Sequence, residues 1–172
     1  MTHVIQRQIE RRGITQQSLA DVGLTTKSNM SMMMSGQRRI SNDTYCAFAT
    51  NSNDGVFITD VLNEFSNGYS TPAHSDRFYY DHPGLVKEQL IQEMLEAIEA
   101  LKSCNFIKRP QYMTHDEKEI VLETMSECKD VLFHGQVFVN KTCEHIKKNP
   151  RDIAKAHEQK LKMERRIEAI RN

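Results

Sequence analysis

The segment 15–40 constrains the fold more than any other part of this chain, because its helix signals follow one another closely. Thr15 is placed to cap a helix that runs through residue 21. Gly23 allows a turn, and either Thr25 or Thr26 caps the next helix, which Gly36 ends. The segment therefore predicts two short helices joined by a tight turn and followed by a glycine loop with two arginines.

Three more helices are predicted around this pair. The first spans residues 3–12, and Gly13 stops it. The fourth begins at Ser41 or Asn42, and the fifth spans about 56–65. Five short helices within about 66 residues predict one compact domain, 1–66. Its expected core positions are Val4, Ile5, Ile9, Leu19, Ala20, Met30, Met33, Tyr45, Phe48, Ala49, Val56, Phe57, Ile58, Val61, Leu62 and Phe65.

The polar residues of the segment fit contacts to duplex DNA. A turn that sets the third helix at a steep angle lets its N-terminal residues enter the major groove. There lysine can donate to guanine, asparagine can pair with adenine, and methionine can lie against a thymine methyl. Gln16 at the start of the second helix would contact phosphate, and so would the basic loop after Gly36. The predicted DNA-binding residues are Gln16, Thr26, Lys27, Ser28, Asn29, Met32, Gln37, Arg38 and Arg39.

This stretch resembles the Cro/C1-type (Xre-like) helix-turn-helix family. The shared features are Thr15-Gln16, Leu19-Ala20, the Thr25-Thr26 cap, the inward methionines and Gly36 followed by polar and basic residues. The resemblance covers about residues 1–66. It implies a lambda-repressor-like five-helix domain of a sequence-specific transcriptional regulator, usually a repressor from a phage or plasmid. In one departure, Gly23 precedes Leu24, which indicates a slightly reshaped turn.

The second half of the chain is also predicted to be helical. Residues 67–82 are a linker rich in Ser, Asn, Gly and Pro, whose aromatic end at 77–81 could form a short strand. Pro83 begins a long helix to about Ser103. Thr114 and Glu117 form a capping box that starts another, predicted to reach about 148. A last, charged helix is predicted over 150–171.

Charge is distributed unevenly although the net charge is zero. Residues 1–40 carry a net +4, residues 76–130 a net −5 and residues 141–172 a net +5. The basic first segment suits attraction to phosphate. The acidic middle does not, and it is better suited to solvation or to pairing with the basic tail.

Residues 83–172 are expected to form an oligomerisation or regulatory domain. DNA half-sites related by two-fold symmetry favour a dimeric reader. We therefore expect a homodimer or homotetramer; a monomeric helical appendage is the alternative. The residues expected to carry the interface are Phe78, Tyr80, Leu90, Ile91, Met94, Leu95, Ile98 and Leu101.

Other functional classes find little support. The histidines and acids form no recognisable catalytic pattern and no glycine loop cradles phosphate, so no enzyme activity or cofactor is expected. Cys128, His134, Cys143 and His145 fit no common zinc spacing, so no metal is expected. The absence of a membrane-length apolar run and of a signal-peptide pattern leads us to expect a cytoplasmic protein. The family resemblance implies that it is bacterial and nucleoid-associated.

The sequence as a whole favours an all-α repressor of a prophage or conjugative plasmid that occupies a repeated or palindromic operator. An antirepressor protein or peptide would relieve repression, since no self-cleavage module is recognised. Two alternatives remain open at this stage. The chain could be the DNA-binding antitoxin of a toxin–antitoxin pair, or a protein-binding module that retains a helix-turn-helix fold without reading DNA.

Overall fold

The computed structural model describes residues 2–74, 82–104 and 108–168. Within these ranges the chain is all-α, as predicted, and contains no strand. The strand expected near 77–81, with Phe78 and Tyr80, lies outside the described residues. The helices are α1 Thr2–Arg12, α2 Gln16–Val22, α3 Lys27–Met34, α4 Asn42–Asn51, α5 Gly55–Phe65, α6 Pro83–Ser103, α7 His115–His145 and α8 Pro150–Met163, with a 3-10 turn at Pro110–Tyr112.

The helix starts follow the caps that the sequence predicted. The hydroxyls of Thr15, Thr26 and Ser41 each accept a hydrogen bond from a backbone N–H in the first turn of α2, α3 and α4. Thr114 and Glu117 form the predicted capping box before α7. Each bond satisfies an amide that has no partner within its own helix. Local chemistry therefore sets where these helices begin.

Two compact units divide the chain: Met1–Ser70 with Cys143–Asn172, and Thr71–Thr142. We call them the head unit and the middle unit. This differs from the predicted division into 1–66, 67–82 and 83–172, because α8 belongs with the first five helices. Arg151 explains the difference, since its guanidinium donates to the carbonyls of Ala49 and Ser52 at the end of α4. Asn149 adds a 2.9 Å hydrogen bond to Asn53.

The head unit has a core formed by α1 to α5. Ile5, Leu19, Met30, Phe48 and Phe57 are each at most 1% exposed. Val4, Ala20, Met33, Tyr45 and Val61 complete most of it, as predicted. Two core predictions are wrong: Leu62 is 44% exposed and Phe65 is 50% exposed, because both lie on the outer side of α5.

One acidic residue connects two helices of the head unit. Asp54 caps α5 by accepting from the backbone N–H groups of Val56 and Phe57. Its other oxygen accepts from Arg11, and from Arg12 Nε at 2.6 Å. Burial raises the pKa of Asp54, but the hydrogen bonds and charges of Arg11 and Arg12 outweigh it and lower this pKa from 3.8 to about 2. Asp54 therefore fixes the end of α1 to the start of α5.

The middle unit is a helical hairpin. Oε1 of Glu93 in α6 lies 3.7 Å from Nδ1 of His134 in α7. The carbonyl of Ala100 in α6 accepts a 3.4 Å hydrogen bond from the hydroxyl of Thr124 in α7. Because the α7 partner falls in number as the α6 residue rises, the two helices run antiparallel. Residues 134–140, including Val137, continue α7 as helix, as predicted.

Two helices end earlier than predicted. Helix α7 ends at His145 rather than near 148, and α8 ends at Met163 rather than 171. In both cases a residue just beyond the end has a positive φ, 54° at Lys147 and 55° at Arg165. The amides that follow bond back to carbonyls in the last turn, Lys148 to Cys143 and Arg166 to Leu161. This is a helix stop that usually uses glycine, so residue type did not reveal it.

The turn between α2 and α3 uses Gly23 in a way that the sequence did not indicate. Gly23 has an ordinary φ of −81°, whereas Leu24 has a φ of 48°. A Cβ atom on Gly23 would lie 2.6 Å from Cε1 of Phe48. Glycine is thus required there for close packing, and the strained left-handed position falls on Leu24, which is 78% exposed.

Substitutions at these two positions should change stability in opposite directions. Leu24→Gly should raise the free energy of unfolding by about 0.5–1 kcal/mol, because it relieves the left-handed strain and loses no buried surface. Gly23→Ala should lower it by about 1–3 kcal/mol, because the new methyl group overlaps the Phe48 ring. Urea unfolding of both variants tests this, and equal effects of the same sign would contradict it.

Candidate functional site

The helix α3 has a buried face and a polar exposed face. Met30 and Met33 are 0% and 4% exposed and fix the helix to the core, as predicted. Thr26, Lys27, Ser28 and Ser31 are exposed. The outward face at the N-terminal end of α3 is therefore polar, and Lys27 makes it basic. The buried face of α3 packs on the core, and none of its exposed residues has a bulky apolar side chain. Such a face can enter the major groove of DNA without steric clash.

The loop after α3 brings two further cations to this region of the head unit. Gly36 has a φ of 76°, which a residue with a side chain rarely adopts. The backbone N–H of Arg38 then returns to the carbonyl of Met32 at 3.1 Å. Gln37, Arg38 and Arg39 are all exposed. The loop is therefore held against the last turn of α3, and the Arg38 side chain lies beside the helix.

A chain of hydrogen bonds connects the loop to the helix. Arg38 Nη1 donates to Asn29 Oδ1 at 2.8 Å, and Asn29 Nδ2 donates to Thr25 Oγ1 at 3.3 Å. An amide side chain has two lone pairs and two N–H donors. These two bonds leave capacity for one accepted and one donated hydrogen bond, which is the combination that the major-groove edge of adenine requires.

The remaining predicted DNA-binding residues, Gln16 and Met32, are less exposed than Lys27. Gln16 is half-buried at the first position of α2, directly after the Thr15 cap. Met32 is half-buried on α3, so only part of its thioether side chain is accessible. The structure thus brings Thr26, Lys27, Ser28, Asn29 and Arg38 to one region around the start of α3.

The sequence predicts Asn29 and Arg38 as separate DNA contacts and gives no direct sign of the hydrogen bond between them. The two residues are nine positions apart and belong to different elements, so no helical periodicity relates them. The only signal was Gly36, whose left-handed φ turns the loop back. Thr25 is likewise predicted only as an alternative cap, whereas its hydroxyl accepts a hydrogen bond from Asn29.

Comparison with known proteins found no match among protein families, curated proteins or solved structures. No described helix has both the length and the apolar character needed to cross a membrane.

Proposed function

We propose that this protein binds duplex DNA sequence-specifically as a homo-oligomer and regulates transcription. The observation that carries the proposal is the exposed polar and basic start of α3, with Asn29 held between Thr25 and Arg38. In this proposal α3 enters the major groove, where Asn29 and Lys27 contact bases. Arg39 and Gln37 contact phosphate from the loop, and Gln16 does so from the start of α2.

The regulatory role rests on the same geometry together with the helix-turn-helix resemblance of residues 1–66. A protein bound across an operator blocks polymerase, so repression of genes on a mobile element such as a prophage or conjugative plasmid is the proposed outcome. An antirepressor protein or peptide would release it. A toxin partner is the alternative, and it would co-purify with the chain.

Selection from a pool of random DNA duplexes tests the proposal. The intact protein should enrich a short motif that occurs twice with two-fold symmetry, and the half-site spacing should be near one helical turn of DNA. The Asn29→Ala variant should enrich a motif that has lost its preference at one or two positions. Enrichment of no motif by the wild-type protein would contradict the proposed function.

The proposed oligomer uses the exposed apolar side of α6. Ile91, Met94, Ile98 and Leu101 are 42–48% exposed and follow one another at spacings of three, four and three residues. This spacing forms a continuous stripe of the kind by which helices pair. Leu95 is also exposed, whereas Leu90 is half-buried. A hairpin of two helices buries little apolar surface alone, and this supports association through the stripe.

A charge within the stripe should dissociate the oligomer. Ile98→Asp should raise the dissociation constant of self-association by about 100-fold, because burying an unpaired carboxylate at an apolar interface is costly. Gln89→Asp, at an exposed position outside the stripe on the same helix, is the matched control and should leave the association unchanged. Sedimentation velocity over a range of concentrations measures both. A wild-type protein that stays monomeric would contradict this part of the proposal.

A further inference from the structure

The middle unit has an acidic groove on a different side from the α6 stripe. It lies between α6 and α7 and encloses about 490 Å³. Leu95, Ala100 and Ile120 supply its apolar surface, and Leu95 and Ile120 are 53% and 42% exposed. Its acidic residues are Glu96, Glu99, Glu123 and Glu127. Apolar surface lined by four carboxylates suits an amphipathic and basic occupant.

Several carboxyl groups near the groove lie close enough to repel one another. Burial raises the pKa of the Glu93 carboxyl, the charge of His134 lowers it, and the charges of Glu96, Asp130 and Glu127 raise it. Glu93, Glu127 and Asp130 also place carboxylate oxygens within 4.8 Å of one another. This end of the groove therefore has a negative potential that a cationic side chain would relieve.

Helix α8 of the head unit has the matching properties. Ile153, Ala156 and Met163 form an apolar line with Lys160 within it, at spacings of three, four and three residues. Ile153 is 46% exposed and Met163 is 78% exposed, and the Lys160 side chain is 65% exposed. Side chains two positions apart on an α-helix, such as Arg151 and Ile153, point about 200° apart around its axis. The Arg151 anchor to α4 therefore leaves the side with Ile153 available.

We propose that α8 of one copy docks into the acidic groove of a second copy, where it completes a three-helix bundle with α6 and α7. The apolar line would cover Leu95, Ala100 and Ile120, and Lys160 would lie among the glutamates. A second copy is the occupant because the α8 line and the groove are each exposed and carry opposite charge, and copies of this chain meet in the proposed homo-oligomer. This inference rests on the proposed homo-oligomer and names one of its contacts.

The contact accounts for the charge pattern of the sequence. The acidic segment 76–130 and the basic segment 141–172 carry net charges of −5 and +5. A two-fold axis would make the contact reciprocal, so that each copy gives its α8 and receives the other's. Two such contacts form at once, and each strengthens the other by raising the effective concentration.

Charge reversal in two separate variants tests the proposal with the full chain. The groove variant is Glu96→Lys with Glu99→Lys, and the helix variant is Lys160→Glu. Each alone should weaken self-association by about 10-fold or more, because like charges then face each other. Glu88→Lys reverses an exposed acid of α6 outside the groove, and this control should associate like the wild type.

Mixing the two variants gives the decisive result. Each mixed pair has one native contact and one contact with both charges reversed, so association should return to the wild-type level. Sedimentation velocity without DNA reads this out separately from operator binding, and circular dichroism checks that each variant is folded. Unchanged association of both variants, or no recovery on mixing, would overturn the inference. Either outcome leaves the proposed DNA binding undecided, because only the duplex selection tests it.

Discussion

The variant Lys27→Ala with Arg38→Ala should bind the selected duplex about 100-fold or more weakly than the wild type, a loss of about 3–4 kcal/mol in binding free energy. Lys27 is exposed at the first position of α3, and Arg38 is exposed beside Asn29. The loss has two parts. In the proposed complex, removing Lys27 deletes a donor to a base. Removing Arg38 deletes a cation of the basic loop together with the observed partner of Asn29.

Separate variants distinguish these parts. Arg38→Lys keeps the charge but not the planar group that donates to Asn29 Oδ1 at 2.8 Å. It should retain most of the salt dependence and lose discrimination at the Asn29 base. Lys87→Ala, which removes an exposed lysine of α6, is the matched control and should leave binding unchanged. Equal losses for Lys87→Ala and Lys27→Ala would show that only overall charge matters.

Asp54→Ala should lower the free energy of unfolding of the head unit by about 3 kcal/mol. The variant removes the cap of α5 and leaves the Arg11 guanidinium, whose side chain is 11% exposed, without its carboxylate. Asp43→Ala, at an exposed acid in the first turn of α4, is the control and should cost no more than about 0.5 kcal/mol. Urea unfolding measures both free energies, and equal losses would contradict this structural role of Asp54.

Acid should reveal the same interaction. Because the pKa of Asp54 is lowered to about 2 in the folded protein, its ionised form stabilises the fold at pH values above the unfolded pKa of 3.8. That contribution, about 2 kcal/mol, is lost as the pH falls from about 4 to about 2. The Asp54→Asn variant should therefore show a flatter fall in stability across this range than the wild type.

Helix starts were predictable because each depends on a few neighbouring residues. Thr15, Thr26 and Pro83 act on the first turn of the helix that they begin, and a cap or a missing N–H is visible in the sequence. The inward positions Met30 and Met33 followed from helical spacing in the same way. The exposed start of α3 was predictable for the same reason.

Features that depend on distant residues were not predictable. The bond from Arg151 to Ser52 joins residues 99 positions apart and places α8 in the head unit. Leu62 and Phe65 continue the apolar side of α5, and only the packing of α4 and α1 decides that they lie outside the core. The requirement for Gly23 depends on the Phe48 ring, which no pattern near the turn shows.

A salt-titrated binding measurement distinguishes sequence-specific binding by α3 from general attraction to phosphate. The intact wild-type protein would be titrated with the selected duplex and with a scrambled duplex of the same composition. We expect tighter binding to the selected duplex at every salt concentration, and a steep fall of both affinities as salt displaces the phosphate contacts. Equal affinity for the two duplexes, or no binding even at low salt, would contradict the claim that α3 reads DNA.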